Sequence, residues 1–303
     1  MIHARTIGKA RITSILEYAA PTHDPAFLFP DLTQDELDAM ADRLAPHHYI
    51  PAMNRLIISI RLWLVQMEDR TILIDTGVGN MKPRAAARMN MLNNRVEEWL
   101  TAAGAAPEKV THVVMTHLHM DHTGWNTVPD GKGNWRPLFP NARYIAPERD
   151  FTYYEDKLTK GPDPIMDDSW TDSILPLRDA GLLDLLPEGA GQAADILRPD
   201  PVPGHTPGMT GYHLDTGDGG VFFCGDVFHS PAQIYKPELN TAYCALPDEA
   251  RATRTRVLAE TADDGVLLCP MHFGAPHCGY IRRHGSGYVF EGADWPPLSL
   301  PET

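Results

Sequence analysis

The sequence predicts a layered α/β fold, and two observations predict it. Short apolar runs rich in Val, Ile and Leu recur along the chain, and segments with helical spacing alternate with them. Such alternation argues for sheets covered by helices.

Asp31–Leu44 reads as a helix. Thr33 is its N-cap, and Glu36 three residues on completes a capping box. Ile57–Gln66, rich in Ile, Leu, Val and Trp, reads as the first clear strand. Thr71–Asp75 is a short strand ending in Asp75-Thr76-Gly77. Arg88–Ala103 has helical spacing, with Met91, Leu92, Val96, Trp99 and Leu100 roughly on one face and Gly104 as the stop. Val110–Met115 is the next strand and runs straight into a histidine cluster. Ala142–Ala146 reads as a strand and Pro147–Lys157 as a helix. Val221–Cys224 and Val266–Cys269 read as buried strands, and Asp248–Thr261 as a helix opened by Pro247. Prolines concentrate at Gly161–Pro164, Pro199–Pro207 and Trp295–Pro301, which mark loops and a tail. Residues 1–303 read as a single domain. Residues 21–51 form either an N-terminal arm or a lid.

The net charge of −14 repels nucleic acid and anionic membrane surfaces, so neither is an expected partner. A neutral or weakly charged small molecule is. The same 21–51 segment is a candidate dimer arm, which leaves a homodimer open. The four cysteines form no C-x-x-C pair, and Cys224 and Cys269 sit in apolar runs as buried thiols do. No apolar h-region opens the chain, and no apolar stretch of about 18 residues occurs. The cytoplasm is the expected compartment.

The strongest chemical signal is His117-Leu118-His119-Met120-Asp121-His122. Three imidazoles and a carboxylate within one turn are hard to bury as core, because each imidazole needs a partner and each disfavours charge on its neighbours. A metal ion answers both problems, since neutral imidazole and carboxylate are good ligands. A tight turn after the strand fans these side chains out. His117 and His119 can then share one ion while Asp121 and His122 reach a second. Further ligands should follow other strands. His205 lies in the rigid Pro203–Gly208 turn, Asp226 follows Phe222–Gly225, and His272 follows Leu267–Met271. Alone, each is ordinary. Together they share a position at strand C-termini, where α/β sheets collect ligands.

Asp75-Thr76-Gly77, Thr116–Gly124, Gly204–Gly208, Gly225-Asp226 and Pro270–Phe273 resemble the metallo-β-lactamase superfamily. The resemblance implies an αβ/βα four-layer sandwich with a dinuclear site. By that likeness His117, His119 and His205 hold one metal, Asp121, His122 and His272 hold the second, and Asp226 bridges both. Asp75 matches a carboxylate that orients a ligand imidazole. Asp75–Asn80 with Lys82-Pro83-Arg84, Thr116–Thr127 and Gly225–Gln233 resemble the branch holding methyl parathion hydrolase and quorum-quenching lactonases. One position departs. Lactonases for N-acyl-homoserine lactones place a tyrosine three residues after the bridging aspartate, and here that residue is His229.

The resemblance implies a dinuclear metal-dependent hydrolase using two divalent ions, zinc by preference, with manganese, cobalt or iron also compatible. A hydroxide between them attacks an ester-type bond, first of all a lactone of the N-acyl-homoserine kind or an aryl ester. Asp121 hands a proton to the leaving group and Asp226 places the nucleophile, while His229 either contacts the developing oxyanion, orients substrate or is an exposed loop histidine. Phosphotriester, thioester and carbon–halogen hydrolysis are the alternatives within the class. A non-hydrolytic metal-binding or di-iron redox protein is the alternative outside it. His3, His23, His47, His48, His112, His213, His277 and His284 lack ligand-like companions, with His277 the nearest to a pocket residue. Trp125, Phe27, Phe29 and Phe228 read as core or as an apolar substrate wall.

Overall fold

The computed structural model describes residues 2–163, 166 and 168–294. The tail expected at Trp295–Pro301, and Pro164 in the earlier proline cluster, lie outside the described residues.

The strands in chain order are β1 (Ile2–Ile7), β2 (Ala10–His23), β3 (Tyr49–Ile50), β4 (Arg55–Met67), β5 (Arg70–Ile74), β6 (His112–Val114), β7 (Thr127–Pro129), β8 (Trp135–Pro137), β9 (Arg143–Pro147), β10 (Leu183–Leu186), β11 (Leu197–Pro201), β12 (Thr210–Asp215), β13 (Gly220–Gly225), β14 (Leu267–Pro270), β15 (Gly279–His284) and β16 (Gly287–Gly292). An eight-stranded sheet runs β1-β2-β4-β5-β6-β9-β10, with β3 paired to β4. A six-stranded sheet runs β11 to β16 in order, and β7 and β8 form a separate pair. β5, β6, β9 and β10 are mutually parallel, as are β13 and β14. Parallel neighbours need crossovers. The helices Val96–Ala102, Glu148–Thr159 and Pro247–Asp264 lie in three of them. This is the mixed α/β architecture expected.

The chain divides into two compact units. The first comprises residues up to Glu17 together with Ile60–Pro199, and the second comprises Tyr18–Ser59 with Asp200–Asp294. The first is organised on a cluster that includes Leu62, Leu73, Val113, Met115, Leu118 and Tyr144, all fully buried. Among the described residues, the second includes two clusters. One joins Phe222, Cys224, Phe228, Leu258 and Leu268, and the other joins Leu28, Phe29, Leu37, Leu44, Leu56 and Leu239. Each such aliphatic side chain taken from water contributes about 1.5–3 kcal/mol.

The helix Gln34–Leu44 carries the expected cap. Glu36 N–H donates to Thr33 Oγ1 at 3.4 Å and Thr33 N–H to Glu36 Oε2 at 3.0 Å. Its Leu37, Met40 and Leu44 are buried in the second unit. The strands β1 and β2 precede it, and Ile57–Gln66 is not the first strand. Residues Thr13, Ser14 and Glu17 of β2 are buried beside Ile12 and Ile15, so no apolar–polar alternation marks the strand.

The helix expected over Arg88–Ala103 begins only at Val96. The residues before it fold back on 80–84 instead. Met91 N–H donates to the Lys82 carbonyl, Arg84 N–H to Asn90 Oδ1 and Asn94 N–H to Asn80 Oδ1. Met91 takes a φ of 52°, which no helix continues through. The other expected strands and helices occur within a few residues of their sequence limits. Cys224 and Cys269 are buried thiols outside any disulfide, as expected.

Candidate metal centre

In the first unit, β5 and β6 are parallel neighbours, and both end in chemistry. Asp75 follows β5 with a φ of 54°, and its N–H donates to the Val114 carbonyl at 3.0 Å. Its carboxylate then accepts from Thr116 N–H (2.7 Å), the Thr116 hydroxyl (2.7 Å) and His122 Nδ1–H (2.8 Å). Asp75 and His122 are both fully buried. With its proton on Nδ1, His122 carries its lone pair on Nε2.

His117 is set the same way. The Thr116 hydroxyl spends its proton on Asp75, so its oxygen accepts from His117 Nδ1–H at 3.0 Å. The lone pair of His117 is thereby on Nε2. His119 is set from the helix Glu148–Thr159, where the Tyr154 hydroxyl lies 2.7 Å from its Nε2. Burial pushes the Tyr154 hydroxyl well above its ordinary pKa, so it stays protonated. A hydroxyl both donates and accepts, and this contact is compatible with a proton on Nε2 and a lone pair on Nδ1. The backbone turn is completed by the short helix Met120–Thr123, with His122 N–H donating to the His119 carbonyl at 3.0 Å. The His117 ring lies 4.6 Å from that of His119 and 4.0 Å from that of His122. Asp121 is the more exposed member, 3.7 Å from His122 Nε2.

In the second unit three histidines converge on one oxygen. The Nε2 atoms of His272, His205 and His229 lie 3.0, 3.2 and 3.3 Å from Asp226 Oδ2. All four residues are buried. His272 Nδ1 lies 2.8 Å from the Ser59 carbonyl, which can only accept, so Nδ1 carries the proton. The neutral ring would then point an Nε2 lone pair at a carboxylate oxygen. Only a cation, proton or metal, makes that arrangement favourable.

Local sequence explains each placement. Gly204, at φ 136°, lets the His205 loop press on the helix Pro247–Asp264, since a Cβ there would lie 2.3 Å from the Ala250 backbone. The Leu246 and Ala245 N–H groups donate to the Gly204 and His205 carbonyls. A bulge at the end of β13, with Gly225 at φ 53°, turns the chain into Asp226. His229 N–H donates to Gln233 Oε1 at 2.7 Å.

Within the second unit, Asp226, His229 and His272 each bring a donor atom within 4.8 Å of the others, close enough to hold a metal ion, and within the first unit His117, His119, Asp121 and His122 share one turn. The donors fit such an ion: imidazoles, of which His117, His119, His122 and His272 have a hydrogen-bond partner on one ring nitrogen, plus carboxylates. Thr116, Tyr154 and Ser59 were not singled out from sequence. Thr116 adjoins the motif, but Tyr154 and Ser59 carry no sequence signal.

Other residues fall elsewhere. His277, at φ 78°, is buried with its Nδ1 3.2 Å from the Phe273 carbonyl. Trp125, Phe29 and Phe228 are core, whereas Phe27 is 57% exposed. Lys82 and Arg84 are buried and pair with Asp172 at 3.0 and 2.6 Å.

A family profile for the metallo-β-lactamase superfamily matches residues 60–272, and the chain belongs to that superfamily. It is a metal-dependent hydrolase by class. Among solved structures it is similar to the hydrolase AbOPH of the β-lactamase superfamily, with 24% identity, 99% of this chain and 98% of the other covered, and a TM-score of 0.79. It is also similar to AidC, a dizinc quorum-quenching lactonase solved with its product, with 19% identity, 99% and 98% coverage and a TM-score of 0.77. A probable metal-dependent hydrolase from Staphylococcus aureus matches with 16% identity, 95% and 99% coverage and a TM-score of 0.74. A search of curated proteins finds no match. No helix among the described residues is long and apolar enough to cross a membrane.

Proposed function

We propose that the chain hydrolyses a small-molecule ester, first of all a lactone of the N-acyl-homoserine kind or an aryl ester, with two divalent cations, zinc by preference. The observation that carries this reading is the convergence of His205, His229 and His272 on one oxygen of Asp226. Three Nε2 atoms around one carboxylate oxygen are an arrangement that cations stabilise.

In this reading His117, His119 and His205 hold one ion, Asp121, His122 and His272 hold the other, and Asp226 serves both. When bound, the pair supplies a water acidified toward neutral pKa and an electrophile for the attacked oxygen. The chain does the rest. Asp226 orients the attacking water by accepting its hydrogen bond. Asp121, the most accessible of the acids, passes a proton to the leaving oxygen. His229 Nε2 donates to the oxygen that gains charge, in the place where lactonases of this branch carry a tyrosine. Asp75 and Ser59 hold His122 and His272 in the ligating tautomer.

Support for the lactone or ester over other substrates comes from the likeness to AidC. The neutral small-molecule preference also suits a chain of charge −14. The test is metal analysis followed by turnover of a lactone, an aryl ester, a phosphotriester, a thioester and a haloalkane. Two ions per chain with fastest turnover of the lactone or aryl ester is the expected result. Fastest turnover of the phosphotriester, thioester or haloalkane moves the substrate assignment. Metal without any hydrolysis overturns the reading.

A further inference from the structure

We infer that Glu17, on β2, is a positioning residue for the ligand turn around His122, an inference that rests on the metal-centre reading above. Glu17 is a buried carboxylate remote in sequence from every proposed ligand. Its Oε2 accepts from Val78 N–H at 2.7 Å. Its Oε1 accepts from Gly79 N–H at 3.2 Å and Trp125 Nε1–H at 2.7 Å. The carboxylate therefore grips two segments at once, the loop after Asp75 and the chain after His122.

Those two segments are also clasped to each other. Thr76 N–H donates to the His122 carbonyl at 2.6 Å, Gly124 N–H to the Gly77 carbonyl at 2.7 Å, and Trp125 N–H to the Thr76 carbonyl at 2.9 Å. The Thr76 hydroxyl donates to Asn126 Oδ1 at 2.9 Å. The approach leaves no room for side chains. A Cβ at Gly124 would lie 1.8 Å from the Val78 oxygen, and one at Gly77 would lie 2.1 Å from Glu17 Oε2. The same clasp carries Asp75, which sets the His122 tautomer. Glu17 thus closes the far end of a ring whose near end is a ligand imidazole and its orienting carboxylate.

Burial pushes the Glu17 carboxyl above its usual range, against the pull of the amide and indole donors. A raised carboxyl pKa means that the charged form is disfavoured in the folded chain, so ionised Glu17 weakens folding as pH rises through that range.

The experiment compares wild type, Glu17→Gln and Trp125→Phe. Co2+ dissociation constants are measured by chelator competition, together with Co2+ absorption spectra and unfolding of the metal-free proteins. A contribution to folding that is equal with and without the ion cancels from the dissociation constant. Glu17→Gln replaces one accepting oxygen by an amide donor, which then faces either Val78 N–H or the N–H groups of Gly79 and Trp125. It is expected to weaken one Co2+ site about tenfold or more and to alter its spectrum. Trp125→Phe removes one donor and is expected to weaken that site about threefold. An unchanged dissociation constant and spectrum overturn the inference, whatever happens to the unfolding midpoint. If Glu17→Gln does not fold, Trp125→Phe decides by the same criterion. Wild type that takes up no Co2+ sinks the metal centre itself, a result distinct from the failure of Glu17.

Discussion

The Nδ1 of His272 lies 2.8 Å from the Ser59 carbonyl, and this contact decides what the other ring nitrogen does. A carbonyl only accepts, so the proton stays on Nδ1 and the lone pair turns toward Asp226. Ser59 is held in register in return, since its N–H donates to the His272 carbonyl at 3.0 Å and its hydroxyl to the Phe273 carbonyl at 2.7 Å. The site's chemistry is thereby set from strand β4, far away in sequence.

Asp226 and His277 are both buried, but they should behave differently. Asp226→Ala is expected to bring metal content below two per chain and to cut kcat/KM by about 10³, roughly 4 kcal/mol of transition-state stabilisation. His277→Ala, whose Nδ1 faces a backbone carbonyl, should stay within about threefold. Metal analysis with one ester assay measures both, and equal losses would mean that Asp226 is not the shared ligand.

Tyr154 orients His119 and touches nothing else in the proposed chemistry. His119→Ala should remove most of the metal and nearly all turnover. Tyr154→Phe should fall between that variant and wild type, about 10–100-fold down in metal affinity, as for other partners of ligand imidazoles. A Tyr154→Phe protein that binds metal like wild type would reduce the 2.7 Å contact to an incidental one.

Gly204 tests the loop that delivers His205. Its φ of 136° disfavours any L side chain, and the Ala250 backbone stands where a Cβ would go. Gly204→Ala is expected to destabilise the fold by about 2–4 kcal/mol in urea unfolding. Metal content should fall with it as the His205 loop lifts. Unaltered stability would show that the close approach is relieved at no cost.

Lys82 gives a pH signature. Burial lowers its pKa to about 8, against the pull of Asp172. The folded pKa lies below the ordinary lysine value of about 10.4. Between those values the unfolded chain holds a proton that the folded chain has lost, so this residue's contribution makes stability rise with pH. Wild type should therefore gain on Lys82→Met as pH increases from 8 toward 10, by up to about 1.4 kcal/mol per unit. Urea unfolding of metal-free protein at pH 7.5 and 9.5 measures it. A difference that stays flat or falls would mean the ammonium keeps its proton through that range.

Much of this protein is visible in its sequence where local physics decides. The cap at Thr33 and Glu36 needs only neighbours three residues apart, and it forms as read. The strands carrying Asp75, Asp226 and His272 are apolar runs that announce themselves. Arg88–Ala103 misleads because its helical spacing competes with side chains of Asn80 and Asn90, which bind backbone groups across the turn. β2 is silent because its inward face is partly polar, with Thr13, Ser14 and Glu17 among its buried residues.

The sequence by itself determined the candidate donor types, their order and the strand ends that present them, because a six-residue run of imidazoles and carboxylate is chemistry written locally. Only the tertiary structure decided which partner each ring nitrogen meets. His117 and His122 answer to Thr116 and Asp75, His119 to Tyr154, and His272 to Ser59. Most of these partners come from other elements, and a hydrogen bond between residues distant in the chain exists only once the chain has folded around it.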